Sequence, residues 1–288
     1  MSPAGRSAIT TFTHDGWVFD VQDTGPAEGE PVLLLHGFPE RASCWDAVVP
    51  LLHARGLRTV APDQRGYSPR ARPRGRWPYR LNRLVADATA LVDRIGTPVH
   101  LVGHDWGAMV AWGLAAQRPD LVRSLTAVSV PHPGAFLDAC RHGPQLRRSW
   151  YFGLFNVPWL VELTVRWRRD AFDVSLRKGG MSAEDVARFH REIVEYGALR
   201  GALLWYRAMP FAPAWMSRTP VSVPTTYVWS DRDVALTREA ALACERFVTG
   251  DYRLLVLPGI SHWIPRQAPE ALAEAIVARA TTPPGVNE

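Results

Sequence analysis

The sequence is poor in several kinds of residue, and each shortage argues against a class of protein. Three cysteines are spread over 288 residues without a CxxC pair, which disfavours a disulfide framework or a cysteine-based zinc site. No apolar run approaches the roughly 18 residues that a membrane span needs. The polar N-terminal stretch, residues 1–16, also lacks the apolar core of a signal peptide. We therefore expect a cytoplasmic protein with no membrane partner.

Lysine is nearly absent, because Lys178 is the only one and arginine carries the remaining positive charge. The densest run of arginines, residues 65–83, would be suited to an acidic partner or nucleic acid. The run also contains three prolines and no nucleic-acid-binding motif. We interpret it as the solvated rim of a loop and expect no nucleic-acid partner.

Short runs rich in valine and leucine alternate with helical stretches along much of the chain. An early strand near residues 16–21 precedes six apolar strand segments, at 31–37, 57–63, 98–105, 124–130, 223–231 and 252–259. Near-continuous apolar runs of this length are typical of parallel strands covered on both faces by helices. The predicted fold class is α/β, with a mostly parallel central sheet.

The pattern changes between residues 131 and 220, where aromatic, helical segments occur without a convincing strand. We therefore predict a core formed by residues 1–130 and 221–288, with a helical cap at 131–220 inserted into it. Open α/β sheets bind ligands at the carboxyl ends of their strands. The cap is expected to cover that edge and to form the roof of a pocket.

The segment LVGHDWGAM, residues 101–109, has the pattern small-x-nucleophile-x-small directly after an apolar strand. In such a nucleophile elbow, Gly103 and Gly107 allow the strand and the following helix to approach closely. The central residue is Asp105, where many such enzymes have serine. A helix N-terminus favours negative charge, so Asp105 is predicted to be an ionised nucleophile.

Enzymes with this elbow place an acid and then a histidine later in the chain. His262, in the loop after the last predicted strand, is the candidate base. The preceding strand ends near two carboxylates, Asp231 and Asp233, and the later one reaches further towards the histidine. We favour Asp233 as the residue that orients His262, with Asp231 as the alternative.

An oxyanion hole requires two N–H donors beside the nucleophile. The backbone N–H of Trp106, directly after the nucleophile, is predicted to be one. The N–H of Phe38, in the segment HGFPE, is predicted to be the other. A cis bond before Pro39 would aim this loop.

A carboxylate nucleophile indicates displacement at a saturated carbon, because the product is an ester. His262 would then activate a water molecule that attacks the ester carbonyl, with the oxyanion hole stabilising the intermediate. The substrate must carry a leaving group on an sp³ carbon. Epoxides and alkyl halides both meet this requirement.

Several segments together resemble the epoxide hydrolases of the α/β-hydrolase superfamily: HGFPE, DQRGYSPRARP, LVGHDWGA, SVPHP, SWYFGLFNVP, WYRAMP and GISHW. The resemblance extends from about residue 16 to residue 280. It implies an α/β-hydrolase fold with a cap, and conversion of an epoxide and water to a vicinal diol. It implies no metal and no organic cofactor.

The same resemblance assigns roles to two cap tyrosines, Tyr151 in SWYFGLFNVP and Tyr206 in WYRAMP. An opening epoxide develops an alkoxide, which needs O–H donors nearby. Six aromatic residues close to these motifs are predicted to bind substrate: Phe38, Trp106, Trp150, Phe155, Trp205 and Trp263. An exposed apolar cap surface would also be compatible with a homodimer.

The alternative function is a haloalkane or haloacetate dehalogenase using the same Asp-His-Asp triad. Haloalkane dehalogenases share the Asp-Trp-Gly elbow, but they usually have asparagine at the position of Phe38. Fluoroacetate dehalogenases place arginine at the position of Trp106. Both departures favour the epoxide hydrolase.

Overall fold

A computed structural model describes residues 7–281; residues 1–6 and 282–288 of the predicted core lie outside the described range. One eight-stranded sheet has the order β1-β2-β4-β3-β5-β6-β7-β8. Its strands are β1 (Thr11–His14), β2 (Trp17–Thr24), β3 (Pro31–Leu35), β4 (Arg58–Pro62), β5 (Val99–His104), β6 (Val122–Val128), β7 (Thr225–Ser230) and β8 (Tyr252–Leu257). β2 pairs antiparallel with the edge strand β1 and with β4, and the remaining strands pair in parallel. The predicted α/β class with a mostly parallel sheet is confirmed.

Helices connect and cover these strands. In chain order they are α1 (Val49–His53), α2 (Leu81–Ile95), α3 (Trp106–Gln117), α4 (Pro133–His142), α5 (Gln145–Arg148), α6 (Tyr151–Asn156), α7 (Leu160–Trp167), α8 (Arg169–Lys178), α9 (Ala183–Phe189), α10 (Leu199–Ala208), α11 (Trp215–Arg218), α12 (Arg238–Leu242), α13 (Ile264–Gln267) and α14 (Pro269–Thr281). A π-helical turn, His190–Glu195, continues α9. Within residues 7–281, none of the helices has the length and apolar character needed to cross a bilayer.

Strand β3 shows why the apolar runs are continuous, since all five of its residues are buried. Successive side chains of a strand point to opposite faces. Leu33 and Leu35 pack in a core shared with α2 and α3. Val32 and Leu34 pack in a second core shared with α1 and α14. Burial on both sides leaves no position in the strand for a polar residue.

The described residues between β6 and β7 form helices α4 to α11 and contribute no strand to the sheet. We call this segment, residues 133–218, the helical insertion. β6 and β7 are neighbouring parallel strands. The chain therefore leaves the sheet at the carboxyl end of β6, beside the end of β5, and re-enters it at the amino end of the adjacent strand β7.

The arginine run at residues 65–83 is only partly solvated, so its interpretation as a loop rim is wrong in part. Arg65 is buried and donates to both carboxylate oxygens of Asp87 on α2, at 2.7 Å each. Arg72 donates to the carbonyls of Tyr67 and Tyr196 at 2.8 and 2.9 Å. A charge pattern in a single sequence does not show such contacts, because Asp87 and Tyr196 lie outside the arginine run.

Helix α3 packs against the sheet with almost no side chain between the backbones. A Cβ atom on Gly107 would lie 2.0 Å from the carbonyl oxygen of Leu35 in β3. A Cβ atom on Gly103 would lie 2.3 Å from the carbonyl oxygen of Gly107. Glycine at both positions is therefore required by the close approach of helix and strand.

We expect Gly107→Ala to lower the free energy of unfolding by at least about 2 kcal/mol, because the backbone of β3 or α3 must move. The matched control is Gly153→Ala in α6, where an added Cβ meets no atom within 4 Å. That change should stabilise the protein by roughly 0.5 kcal/mol, through helix propensity. Urea unfolding of both variants tests the pair, and equal stabilities would contradict the packing argument.

Candidate active site

Asp105 occupies the turn between β5 and α3 in a strained backbone conformation. Its φ is +52° with ψ −120°, a region that non-glycine residues rarely adopt. The loop that follows β3 lies directly against it, since a Cβ on Gly37 would be 2.4 Å from the Cβ of Asp105. The turn therefore lifts the carboxylate above the sheet and sets it against this loop.

The two predicted oxyanion donors lie beside the Asp105 carboxylate. The N–H of Phe38 donates to Asp105 Oδ1 at 2.8 Å, and the Phe38–Pro39 bond is cis as predicted. Trp106 is the first residue of α3, where backbone N–H groups have no partner within the helix. Oδ1 is thus held by the loop, while Oδ2 faces the histidine.

His262 lies between two carboxylates. Its Nε2 is 3.3 Å from Oδ2 of Asp105, and its Nδ1 is 2.8 Å from Oδ2 of Asp233. The side chains of His262 and Asp233 are almost completely buried, at 6% and 0% exposed. The three residues are thus brought together from the ends of β5, β7 and β8 in one hydrogen-bonded row.

The structure separates the two acid candidates. The second carboxylate oxygen of Asp233 accepts the N–H of Ala235 at 2.7 Å, which fixes the carboxylate towards His262. Asp231 is exposed, and its carboxylate accepts the N–H of Gly259. Only Asp233 of the two is in contact with the histidine.

The charges in this row stabilise one another. Burial disfavours a charged His262, but the neighbouring carboxylates of Asp233 and Asp105 outweigh it and raise the pKa of the imidazole to about 10. Burial alone would raise the pKa of Asp105, yet the hydrogen bond and charge of His262 and the N–H of Phe38 hold it below its usual range. At neutral pH the row contains an imidazolium between two carboxylates.

A cavity opens above Asp105. Asp105, Tyr151, Tyr206 and the indole of Trp106 bring polar groups to its lining. The other lining residues are apolar: Met109, Val130, Phe136, Phe152, Met209 and Leu236. Burial, with the charge of Asp105, raises the pKa of both tyrosines well above the ordinary value, so both hydroxyls stay protonated.

Helices α6 and α10 position the two tyrosines. The ring of Tyr206 packs edge-to-face on Trp106, with centroids 4.9 Å apart. The side-chain amide of Asn156 donates to the carbonyls of Phe152 and Tyr206, which joins the two helices. Asn156 therefore connects the elements that carry both hydroxyls.

The six residues predicted to bind substrate divide into different positions. Trp106 lines the cavity. Phe38 and Phe155 pack on the ring of Tyr206, at centroid distances of 5.2 and 4.8 Å. They support the cavity wall without being part of the lining.

The remaining three are also not among the residues that line the cavity. Trp205 is buried and donates its indole N–H to the carbonyl of Arg65. Trp263 donates to the carbonyl of Gly179. Trp150 is 67% exposed and is not among the residues that line the cavity, so its assignment as a substrate-binding residue stays a prediction. Trp150 directly precedes α6, whereas the next residue, Tyr151, lines the cavity.

Sequence reasoning missed the residues that hold the acid loop. From the helical insertion, Arg148 donates to the carbonyls of Asp233 and Leu236, at 2.6 and 3.1 Å. Gln145 accepts the N–H of Thr237 and donates to the carbonyl of Ala235. No motif marks these side chains, because their partners are backbone groups some 90 residues away.

The loop of His262 is held in a similar way. Its carbonyl accepts the hydroxyl of Ser129 at 2.9 Å and lies 3.0 Å from Nε2 of the buried His104. The hydroxyl of Ser230 donates to the carbonyl of Ser261 at 2.8 Å. Ser230 thus holds the loop that carries His262.

Comparisons with known proteins agree with this architecture. The model of the alpha/beta hydrolase family matches residues 32–275. The AB hydrolase superfamily protein YfhM of Bacillus subtilis is 32% identical over 271 residues, covering 91% of this chain and 94% of that protein. Epoxide hydrolase 4 of Homo sapiens is 30% identical over 261 residues, covering 86% and 72%.

Among solved structures, the epoxide hydrolase VrEH1 of Vigna radiata superposes with a TM-score of 0.79 at 28% identity, covering 96% of this chain and 98% of that one. Family model, relatives and fold therefore agree. The chain belongs to the α/β hydrolase family and, within it, to the epoxide hydrolases.

Proposed function

We propose that this hydrolase converts an epoxide and water to a vicinal diol through an ester on Asp105. One observation carries the proposal: a carboxylate and two protonated tyrosine hydroxyls line the same apolar cavity. A carboxylate displaces a leaving group from a saturated carbon, and O–H donors assist the departure of an alkoxide. We also propose that the helical insertion acts as a cap domain, with the predicted boundaries at residues 131 and 220.

In the first step, the carboxylate of Asp105 attacks one ring carbon of the epoxide. A C–O bond forms to the aspartate while the ring C–O bond breaks, and the bonding electrons move to the ring oxygen. Tyr151 and Tyr206 donate hydrogen bonds to that oxygen, which gains a proton. The product is a hydroxyalkyl ester of Asp105.

The ester changes the protonation of His262. Forming it removes the charge of Asp105, one of the two carboxylates that hold the imidazolium proton. The pKa of His262 therefore falls, and the proton it loses balances the one gained by the ring oxygen. The base required for the second step becomes available when the first is complete.

In the second step, neutral His262 takes a proton from water while the oxygen attacks the ester carbonyl. The N–H groups of Phe38 and Trp106 stabilise the resulting oxyanion. Collapse of the intermediate releases the diol and regenerates the Asp105 carboxylate beside the imidazolium. Asp233 keeps the ring oriented throughout.

A His262→Gln variant should accumulate the ester, because ring opening proceeds without the base that hydrolyses it. We expect intact-protein mass to increase by one whole epoxide when the variant meets a pool of small epoxides. Peptide mapping should place the addition on Asp105. The matched control, Asp105→Asn/His262→Gln, should show no addition.

A pool of alkyl halides in the same experiment separates the alternative function. An addition equal to the halide minus hydrogen halide, in place of the epoxide adduct, would identify a dehalogenase. Addition in the Asp105→Asn control would show that another residue is the nucleophile.

Replacing the tyrosines should slow ring opening specifically. Tyr151→Phe and Tyr206→Phe are each expected to reduce the rate of ester formation about tenfold or more, and the double variant about a hundredfold or more. Single-turnover fluorescence measures this rate, since Trp106 borders the reacting atoms. Tyr196→Phe, outside the cavity lining, serves as control. Full activity in the double variant would refute the assignment.

The rate of ester hydrolysis should rise with pH and level off below the pKa of about 10 that His262 has in the free protein. The shift is downward because the ester has lost the charge of Asp105. Asp233→Asn should move the apparent pKa lower still, since it removes the second neighbouring charge. Single-turnover decay of the ester across pH 5–10 measures both. An unchanged midpoint in Asp233→Asn would contradict the argument.

A further inference from the structure

The outer side of the helical insertion carries apolar side chains that are not covered by other residues. Three tryptophans, Trp150, Trp159 and Trp167, are 67%, 56% and 70% exposed. The exposed apolar residues on α5 to α8 and on their connections together form a surface that we call the outer patch. Its residues are Leu146, Trp150, Leu154, Val157, Trp159, Leu160, Leu163, Trp167 and Val174. Exposed apolar groups of this size mark surfaces that bind something.

The exposure is built into the packing of α7. Its inner side buries Val161 and Val165, while Leu160, Leu163 and Trp167 occupy the outer side at helical spacing. A helix of a soluble protein usually has polar residues opposite its buried stripe. Here both sides are apolar, so burial of the inner side leaves the outer side uncovered.

Arg207 of α10 holds α6 and α7 in this arrangement by hydrogen bonds to both helices. Its guanidinium donates to both carboxylate oxygens of Glu162 on α7, at 2.7 and 2.9 Å, and to the carbonyl of Phe155 on α6, at 3.0 Å. Both groups of this ion pair are mostly buried, at 13% and 16% exposed. The connection between α6 and α7 is therefore anchored on α10, and the outer patch is held outward.

Unpaired positive charge surrounds the patch. Residues 146–178 include seven basic and three acidic residues. Of those acids, Glu162 pairs with Arg207 and Asp173 contacts His190. Six of those basic residues, together with Arg200 of α10, take part in none of the salt bridges of the described residues. They are Arg147, Arg166, Arg168, Arg169, Arg177, Lys178 and Arg200.

Two of these arginines lie over the exposed indoles. The guanidinium of Arg166 is 5.0 Å from the ring of Trp167, and that of Arg200 is 5.1 Å from the ring of Trp159. Tryptophan at the level of lipid headgroups with arginine around it is the composition of surfaces that lie in a membrane interface. The charge is complementary to anionic lipid.

We propose that the outer patch docks on the surface of an anionic lipid bilayer. A second copy of the chain fits the charges less well, because a two-fold interface would place the same unpaired arginines against each other. The proposal revises the expectation of no membrane partner, which rested on the lack of a spanning segment. It goes beyond the proposed function and does not depend on it.

Docking would bring the cavity close to the bilayer. Helix α6 places Leu154 outward and Phe152 in the cavity lining, and Tyr151 lines the cavity directly after the exposed Trp150. If the proposed function holds, an apolar epoxide dissolved in lipid would thus be taken up next to the phase that contains it.

The test is co-sedimentation of the full chain with vesicles of phosphatidylcholine alone or of an equimolar mixture with phosphatidylglycerol. We expect binding to the mixed vesicles that weakens as salt increases. Trp159→Gln/Leu163→Gln/Trp167→Gln should weaken it about tenfold or more, through loss of the buried apolar area. Arg166→Gln/Arg169→Gln should weaken it on the order of tenfold, through loss of charge.

Controls remove matched groups from the sheet-forming part. Leu242→Gln/Val256→Thr removes exposed apolar side chains, and Arg55→Gln/Arg94→Gln removes two exposed charges. Both should bind like the parent chain, and circular dichroism should show every variant folded.

Equal binding to both vesicle types, or equal loss in the controls, would overturn the proposal. So would absence of vesicle binding. If sedimentation velocity then showed a dimer that the tryptophan variant loses, the occupant of the patch would be a second copy of the chain.

Discussion

The buried ion-pair row of Asp105, His262 and Asp233 is the constraint on which the site depends. An imidazolium is tolerated in this dry position because a carboxylate lies on each ring nitrogen. In the proposed mechanism, the same arrangement keeps Asp105 ionised for attack and withholds the base until the ester has formed. One set of charges therefore determines the order of the two proposed steps.

The helical insertion holds this row as well as covering it. Arg148 and Gln145 bind backbone groups of the acid loop, so the position of Asp233 depends on the packing of α5. From the other end of the insertion, α10 places Tyr206 on Trp106. The proposed acid and the proposed oxygen-binding hydroxyls are thus positioned by one folded unit, and a displacement of that unit would disturb both.

The two sides of the insertion differ in what they expose. Facing the sheet, it forms an apolar cavity with a few convergent polar groups, as is usual for small-molecule sites. Facing away, it exposes tryptophan and leucine among unpaired arginines. Helix α6 joins these properties, because Tyr151 and Phe152 line the cavity while Leu154 of the same helix is exposed in the outer patch.

The sequence by itself predicted the strand segments, the elbow at Asp105, His262 as the candidate base and the loop of Phe38, because each depends on local spacing and on turn geometry. Strand alternation and glycine positions are properties of neighbouring residues. Only the tertiary structure decided between Asp231 and Asp233, buried Arg65, and turned Trp150 to solvent. Those outcomes depend on contacts between residues that are distant in the sequence. The residues that line the cavity likewise come from separate elements that share no motif. Packing decides which way each side chain points and which distant residues it contacts, and neither can be read from a single sequence.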